Sequence, residues 1–358
     1  MFPERLKRAR KAAGLSMEAL AEQAEVSRNA IWKYEHGEAM PASGKLLKLS
    51  KALDVRSEYF FRPVRQSLDG VAYRKHASLP KKVLDRVSHD VLEQVERWAE
   101  LLDLFPDSVA PVAPFAPPDG LPRHLQDLGD IETFAEKIRD AWALGRGPIP
   151  KLIDVLESRG IIVVATDVVG DAKFDGLACS VQNNPVVVIS SHRPGDRQRL
   201  TMAHELGHLL LHGRLAKGLD EEKACNRFAG AFLLPKSALV QAVGEKRHAL
   251  DARELYLLKH EYGISMAAIL MRCRQCGIIS ENLCARYFRQ FGKQGWRKQE
   301  PGDAYPAEDT TRLRQLVYHA LSEEFIGEAK AAELMAQPLA RFHAERQLEE
   351  AGDGPADQ

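Results

Sequence analysis

Positions 204–208 hold the residues whose types and spacing most directly suggest chemistry, His-Glu-Leu-Gly-His. They fall in an apolar run with helical periodicity. Residues four apart share one helix face, so both imidazoles can bind one Zn²⁺ at about 2.0–2.1 Å. Glu205 lies one position round the helix, where it can take a proton from a metal-bound water and pass it to a leaving amine. The pattern predicts metal-assisted hydrolysis; the alternative is two histidines that only pack.

A catalytic zinc site needs a third protein ligand and one open coordination position. His212 does not suit, because three histidines at i, i+4 and i+8 on a straight helix span about 12 Å. We expect His212 to end the helix before Gly213 instead. A second helix carries Glu221 and Glu222 in its first turn, and one of these carboxylates can reach the metal. Imidazole and carboxylate ligands also suit Mn²⁺ and Fe²⁺, so the sequence leaves the metal's identity open.

Residues 21–37 have the spacing of a helix-turn-helix, with a small residue at the helix crossing and a serine capping the second helix. Arginine and asparagine can pair with the edges of guanine and adenine, and lysine can reach phosphate. Residues 1–62 carry 12 Lys/Arg and 8 Asp/Glu, a net charge of +4 in a chain whose total charge is zero. The alternative is a helical bundle with an ordinary solvated face. The residues predicted to contact DNA are Ser27, Arg28, Asn29, Trp32 and Lys33.

The whole chain of 358 residues is long enough for two or three domains. With 45% hydrophobic and 28% charged residues it fits neither a disordered chain nor a membrane protein. Its charged start lacks the apolar core of a secretory signal. Five cysteines form an odd and sparse set for a disulfide framework. We therefore expect a cytoplasmic protein with no membrane partner.

The elements that must position these residues divide at a segment with six prolines. Apolar periodicity predicts five short helices over 4–53 and a long amphipathic helix over 81–105, and β-branched runs predict a few strands. The predicted fold class is α+β and mainly helical, with a small β-sheet beside the helix of His204. The predicted domains are 1–62 for DNA binding, 63–105 as a strand and connecting helix, 106–122 as a linker, 123–301 as the metal domain, and 302–358 as a helical extension with a disordered acidic tail.

The run from Arg5 to Val55 resembles the repressor-like helix-turn-helix of the xenobiotic-response-element (XRE) type. Glu25 stands where that family usually has glycine, so it must accept a left-handed backbone or the turn is remodelled. Met17 replaces a polar residue that commonly touches the DNA backbone. The resemblance implies a double-stranded DNA operator, and this fold usually reads two half-sites. That favours a homodimer, with helix 81–105 as its seam rather than a cover for one domain.

The runs RQRLTMAHELGHLLLH and EKACNRFAGAFLLP resemble the ImmA/IrrE family of zinc metallopeptidases. The family's second motif, E-x-x-A-N-x-F-A-x-x-L-L-x-P, places its third ligand on Glu222 and leaves Glu221 outside the register, with Cys225 in place of the usual alanine. The resemblance implies a zincin-like peptidase domain and one Zn²⁺ per chain bound by His204, His208 and Glu222. It also implies cleavage of a repressor, an antitoxin or another regulatory protein.

The residues also allow other interpretations of function. The metal domain could sense a ligand or metal without turnover, or the chain could cleave itself in the proline-rich linker. Arg197 and Arg199 could hold a substrate carboxylate or carbonyl, or else pin their loop to the sheet. The spacing of Cys273 and Cys276 resembles a metal motif, but packing as small apolar residues is the favoured interpretation.

Overall fold

The computed structural model describes residues 1–53, 55–62, 71–73, 81–105, 114–167, 174–181 and 184–348. Contacts divide the chain into two compact units. The terminal unit comprises Met1–Val71, Leu79–Ala113 and Thr310–Gln358, and the central unit comprises Ala72–Ser78 and Pro114–Asp309. Among the described residues, no helix is long and apolar enough to cross a membrane.

The terminal unit begins with five short helices, as predicted, but the fifth is a 3-10 helix that lies after residue 53. Ser16 and Ser27 cap α2 and α3 by accepting hydrogen bonds from the backbone N–H groups of Ala19 and Ala30, as predicted. Glu25 takes the left-handed conformation with φ of 52°. The turn therefore keeps its usual shape without glycine, and Glu25 forms an ion pair with Lys48. The elements are α1 (Phe2–Ala12), α2 (Met17–Gln23), α3 (Arg28–His36), α4 (Ser43–Ala52) and the 3-10 helix Ser57–Phe61.

The long amphipathic helix α5 (Lys81–Leu102) follows, close to its predicted bounds. Its apolar face is buried, and its charged residues bind two arginines of α1. Arg5 contacts Glu93 at 2.7 Å and Glu96 at 2.6 Å, and Arg8 contacts Glu96 at 2.9 Å. Both guanidinium groups are almost fully buried, so this network fixes α5 against the first helix. The first part of the predicted linker, 106–113, lies outside the described residues, and residues 114–122 form no helix or strand.

A sheet of four strands supports the metal site. Its strands are β1 (Val71–Tyr73), β2 (Ile162–Thr166), β3 (Gly176–Val181) and β4 (Asn184–Ser190), in the order β1-β3-β4-β2. β4 pairs in parallel with β2 and antiparallel with β3. Both β2 and β4 are rich in buried valine and isoleucine, as expected for strands covered on both faces.

The remaining helices of the central unit enclose one continuous apolar core. The site helix α8 packs on β3, β4 and α9, and α9 also packs on α6. α8 ends at Leu211 with His212 as its C-cap, as predicted. The helices are α6 (Leu128–Ala141), α7 (Leu152–Glu157), α8 (Gly195–Leu211), α9 (Glu221–Leu233), α10 (Lys236–Val243), α11 (Ala252–Tyr262), α12 (Met266–Gln275) and α13 (Glu281–Lys293).

The last three helices return to the terminal unit. They are α14 (Arg312–Ser322), α15 (Glu328–Leu334) and α16 (Leu339–Arg346). Both α14 and α15 pack on α5, and Lys330 forms an ion pair with Glu100 at 2.6 Å. The terminal unit is therefore built from both ends of the chain. The predicted disordered tail from Glu349 onward lies outside the described residues.

Candidate metal centre and nucleic-acid interface

Helix α8 places His204 and His208 on one face, one turn apart. Their Nε2 atoms lie 3.1 Å from each other. The Glu222 carboxylate at the start of α9 lies 3.4 Å from Nε2 of His204 through Oε2 and 3.3 Å from Nε2 of His208 through Oε1. The structure therefore brings together the three residues predicted as metal ligands.

The spacing of these donors fits a small divalent ion. Ligand atoms at about 2.0–2.1 Å from a tetrahedral Zn²⁺ lie about 3.3–3.4 Å apart, and the separations of 3.1–3.4 Å in this cluster are close to that. Two imidazoles and one carboxylate are also the donor types of a catalytic zinc site, which keeps a fourth position open. His204, His208 and Glu222 could hold the metal, with no ligand taken from the other unit.

Gly207 explains how α9 comes close enough for Glu222 to reach the histidines. A Cβ atom at this position would lie 3.2 Å from Cα of Cys225 and 3.3 Å from a ring carbon of Phe228. The glycine in the His-Glu-Leu-Gly-His run therefore relieves crowding where α9 crosses α8, because a side chain here would press on Cys225 and Phe228. The sequence alone indicated the motif but not this reason for its glycine.

Glu221, which the motif placed outside the ligand register, contacts the other edge of the His208 ring. Nδ1 of His208 donates a hydrogen bond to Oε1 of Glu221 at 3.1 Å, which leaves Nε2 free of hydrogen for a metal. Such a carboxylate orients a ligating imidazole and raises its basicity. Sequence reasoning missed this role. The pair of adjacent acidic residues in the first turn was the only signal for it.

The protonation states around the cluster suit metal binding. Burial and the neighbouring His208 lower the pKa of His204, against the opposing effects of Glu222 and a hydrogen bond with Asn226. A neutral imidazole is the form that binds a metal. Glu205 lies on the same helix with its side chain largely buried. Burial and the Glu205 carboxylate raise the pKa of Cys179 on β3 to about 12, so this thiol stays protonated beside the predicted general base.

The two arginines assigned to substrate binding occupy different environments. Arg197 is half exposed and contacts Asp175 at 2.6 Å. Arg199 is fully buried; it forms an ion pair with Glu308 and donates a hydrogen bond to the carbonyl oxygen of Ile149 at 2.7 Å. These contacts give Arg199 a structural role inside the central unit and remove it from the candidates for substrate contact. The interpretation that it pins its loop is the one that the contacts favour.

Within the described part of the chain, Cys273, Cys276 and Cys284 belong to no group of potential metal ligands, which agrees with the favoured interpretation that they pack as small apolar residues. Cys273 and Cys284 are buried, and burial raises the pKa of Cys273 to about 12, which keeps its thiol protonated and apolar. Another donor set, His208, Glu221 and Cys225, also lies within 4.8 Å. This set and the main cluster have His208 in common, and Glu221 belongs to the set because it contacts Nδ1 of His208. The orienting role of Glu221 therefore accounts for this set.

In the terminal unit, α3 exposes the side chains predicted to contact DNA, while Ile31 and Tyr34 are buried beneath them. Arg28 contacts Glu18 at 2.5 Å with both side chains well exposed, so DNA phosphate can compete for the guanidinium. The Trp32 ring stacks on His36 with centroids 4.2 Å apart. Ser27, Asn29 and Lys33 are exposed at the start or along the outer face of the helix. The Ser27 hydroxyl accepts the cap hydrogen bond, which orients it locally.

The +4 charge of this segment is not all available to DNA. Arg5 and Arg8 are buried in ion pairs with α5, and Arg10 is held by Glu35 at 2.5 Å. Met17 is half-buried against the apolar core, which accounts for an apolar residue at this position. Lys33, Lys45 and Lys51 of α3 and α4 are exposed.

Comparison with known families matches each unit separately. Residues 6–60 match the family model HTH_3, described as helix-turn-helix, and residues 156–274 match Peptidase_M78, described as IrrE N-terminal-like domain. No curated protein sequence matches the chain. Among solved structures, the crystal structure of ComR from Streptococcus suis covers 97% of this chain and 94% of its own, at 12% identity and a TM-score of 0.16. That score is too low to establish a shared fold.

Proposed function

Because this chain joins an XRE-type helix-turn-helix domain to an IrrE N-terminal-like domain of the Peptidase_M78 family, we propose that it is a DNA-binding regulator with zinc-dependent endopeptidase activity. Its substrate would be a repressor, an antitoxin or another regulatory protein. The observation that carries the proposal is the meeting of His204, His208 and Glu222 within 4.8 Å, on two helices that a glycine allows to cross closely.

The proposed chemistry divides between the ion and this chain's side chains. When bound by His204, His208 and Glu222, Zn²⁺ lowers the pKa of water and polarises a peptide carbonyl. Glu205 accepts the proton of the attacking water at its carboxylate and delivers it to the departing amine. Glu221 holds the His208 ring in the tautomer that presents Nε2. The apolar side chains of α8 and α9 exclude bulk water on the protein side.

The DNA-binding part rests on α3. Arg28 and Asn29 would read base edges in the major groove, and Lys33 would contact phosphate. Such contacts release counterions, so binding would weaken as salt concentration rises. Two copies of the chain would occupy two half-sites.

The first experiment measures metal content by elemental analysis of the purified wild type and of His204→Ala. We expect close to one zinc per chain in the wild type and a loss of zinc in the variant. Absence of metal after zinc loading and washing would contradict the site. In that case the chain would be a DNA-binding regulator with an inactive peptidase domain.

The second experiment tests turnover with Glu205→Gln, against candidate regulatory proteins and against the chain itself. We expect this variant to keep its zinc and to lose cleavage, because the amide cannot accept the proton. Cleavage that persists in Glu205→Gln would contradict the assignment of the base. Zinc binding with no cleavage of any protein by the wild type would favour a sensor without turnover. Fragmentation of the wild type alone at 106–122 would indicate self-cleavage.

A further inference from the structure

A second concave site lies in the central unit, between the loop after α10 and the connection from α12 to α13. The cavity has a volume of about 790 Å³, within the range of small-molecule sites. None of its lining residues belongs to the metal cluster or its supporting side chains. The site therefore needs its own explanation.

The charge of the cavity is uniformly positive. Lys246, Arg247 and His248 line one wall, Arg286 and Arg289 line the other, and no aspartate or glutamate is among the described residues that line the cavity. Arg247 is neutralised by two contacts of 3.0 Å with Glu254. Among the described residues, no carboxylate forms an ion pair with the other cations of the two walls. An anion between the walls would relieve their mutual repulsion.

The walls are fixed to each other by hydrogen bonds. The backbone N–H of Arg247 donates to the carbonyl oxygen of Ile278 at 2.9 Å, and Nζ of Lys246 donates to that of Gly277 at 2.7 Å. The Tyr287 hydroxyl on α13 bonds both the N–H and the carbonyl oxygen of Leu250. These bonds hold the cationic loop against α13, so little ordering is needed when a ligand binds.

Helix α13 places two arginines and one asparagine on the same face. Asn282, Arg286 and Arg289 are spaced i, i+4 and i+7, which places them on one helix face toward the cavity. Two guanidinium forks on this face suit paired phosphate oxygens, and Lys246 adds a point charge from the opposite wall. A concave site with cations on two walls suits a compact polyanion better than the extended backbone of duplex DNA.

We propose that this cavity binds a phosphorylated small molecule with two or more negative charges, whose phosphate groups lie between Lys246 and the two arginines of α13. The ligand class is a di- or triphosphate, free or attached to a nucleoside. Such a site would let the central unit bind a ligand without using its metal-binding residues.

Isothermal titration of the full-length protein with inorganic tripolyphosphate and, separately, with ATP tests this proposal. We expect saturable binding of one ligand per chain and at least a tenfold loss of affinity in the double variant R286Q/R289Q. Lys293→Gln is the matched control, because Lys293 is an exposed cation of the same helix outside the cavity. The titration is repeated in His204→Ala, where chelation of bound zinc contributes no heat, and circular dichroism checks that each variant is folded.

The two probes distinguish a nucleotide from a phosphate chain as the ligand. Tighter binding of ATP than of tripolyphosphate would support a nucleotide, and equal binding would support the phosphate chain alone. Three results would overturn the proposal: no binding of either probe at millimolar concentration, equal affinity in R286Q/R289Q, or equal losses in that variant and in Lys293→Gln. A defect of R286Q/R289Q confined to duplex DNA would identify the cluster as a nucleic-acid contact instead.

Discussion

At the scale of single residues, the most informative side chain is Glu221. It was absent from the ligand set expected from the motif, yet its carboxylate lies 3.1 Å from Nδ1 of His208. His208 is therefore held between two adjacent glutamates, one at each ring nitrogen. The two acidic residues therefore have different roles: Glu221 orients the His208 ring, and Glu222 is the candidate metal ligand.

We predict that Glu221→Gln weakens Zn²⁺ binding about tenfold, because loss of the carboxylate charge lowers the basicity of His208. A chelator competition assay measures the affinity. Lys223→Gln is the control, since Lys223 is an exposed residue two positions further along α9. Zinc affinity equal to that of the wild type in Glu221→Gln would show that His208 needs no such support.

His89 on α5 illustrates how burial couples folding to pH. Burial and the charges of Arg8 and Arg5 lower its pKa to about 4, against the opposing effects of Asp90 and Glu96. Its ring contacts the Tyr59 hydroxyl at 3.3 Å. The unfolded chain, with a pKa near 6.5, binds the proton more readily than the folded one. The stabilising contribution of the neutral His89 is therefore fully present above about pH 6.5 and is lost as the pH falls toward 4.

We predict that His89 alone lowers the free energy of unfolding of the terminal unit by about 2 kcal/mol between pH 7 and pH 5. His89→Gln, which cannot be protonated in this range, should reduce the pH dependence by that amount. Urea unfolding at the two pH values measures it. A pH dependence in His89→Gln that is identical to that of the wild type would refute the prediction.

At the scale of elements, the site depends on how closely two helices cross. α8 supplies both histidines and α9 supplies the carboxylates, but neither helix alone brings three donors together. Gly207 is the contact point, because a Cβ there would lie 3.2 Å from the Cα of Cys225. The distance between the helix axes therefore controls the distance between Glu222 and the imidazoles.

We predict that Gly207→Ala destabilises the protein and weakens zinc binding at least tenfold, because α9 must move away from α8. Helix propensity alone predicts the opposite effect on stability, because alanine in place of glycine within a helix stabilises it by about 1 kcal/mol. Thermal unfolding without metal and chelator competition with metal measure the two effects. A variant that is more stable and binds zinc like the wild type would show that the two helices tolerate a larger separation.

At the scale of the whole molecule, the terminal unit is assembled from distant segments of the chain. α14 and α15 pack on α5, which in turn binds α1 through buried ion pairs. Val317, Ala320, Ala331 and Ala332 are all fully buried. The C-terminal helices are therefore part of the structure that supports the helix-turn-helix, although they lie some 250 residues from it in sequence.

We predict that truncation after Asp309 lowers the thermal stability of the terminal unit and weakens DNA binding, since α5 loses its apolar cover. Zinc content should stay near the wild-type value, because the ligands belong to the central unit. Truncation after Leu348 is the control and should change neither property. Calorimetry and a DNA mobility assay measure the effects; unchanged stability after the longer deletion would mean that α14–α16 are dispensable.

The sequence by itself determined the local features of this protein. The helix caps at Ser16 and Ser27, the strands with β-branched runs, the paired histidines and the second motif could all be recognised in the sequence, because each depends on residues that are close together in the chain. For Glu25, which stands where the family usually has glycine, the sequence left open a left-handed backbone or a remodelled turn, and the structure has the left-handed backbone.

Only the tertiary structure decided what depends on residues far apart in the chain. It placed Glu221 at Nδ1 of His208, buried Arg199 against Glu308, and joined the C-terminal helices to α5. It also gathered the cations of two separate loops and α13 around one cavity. The spacing of residues in the sequence does not predict such contacts. Packing and the pairing of buried charges depend on which helices and strands meet, and that is decided by the whole fold.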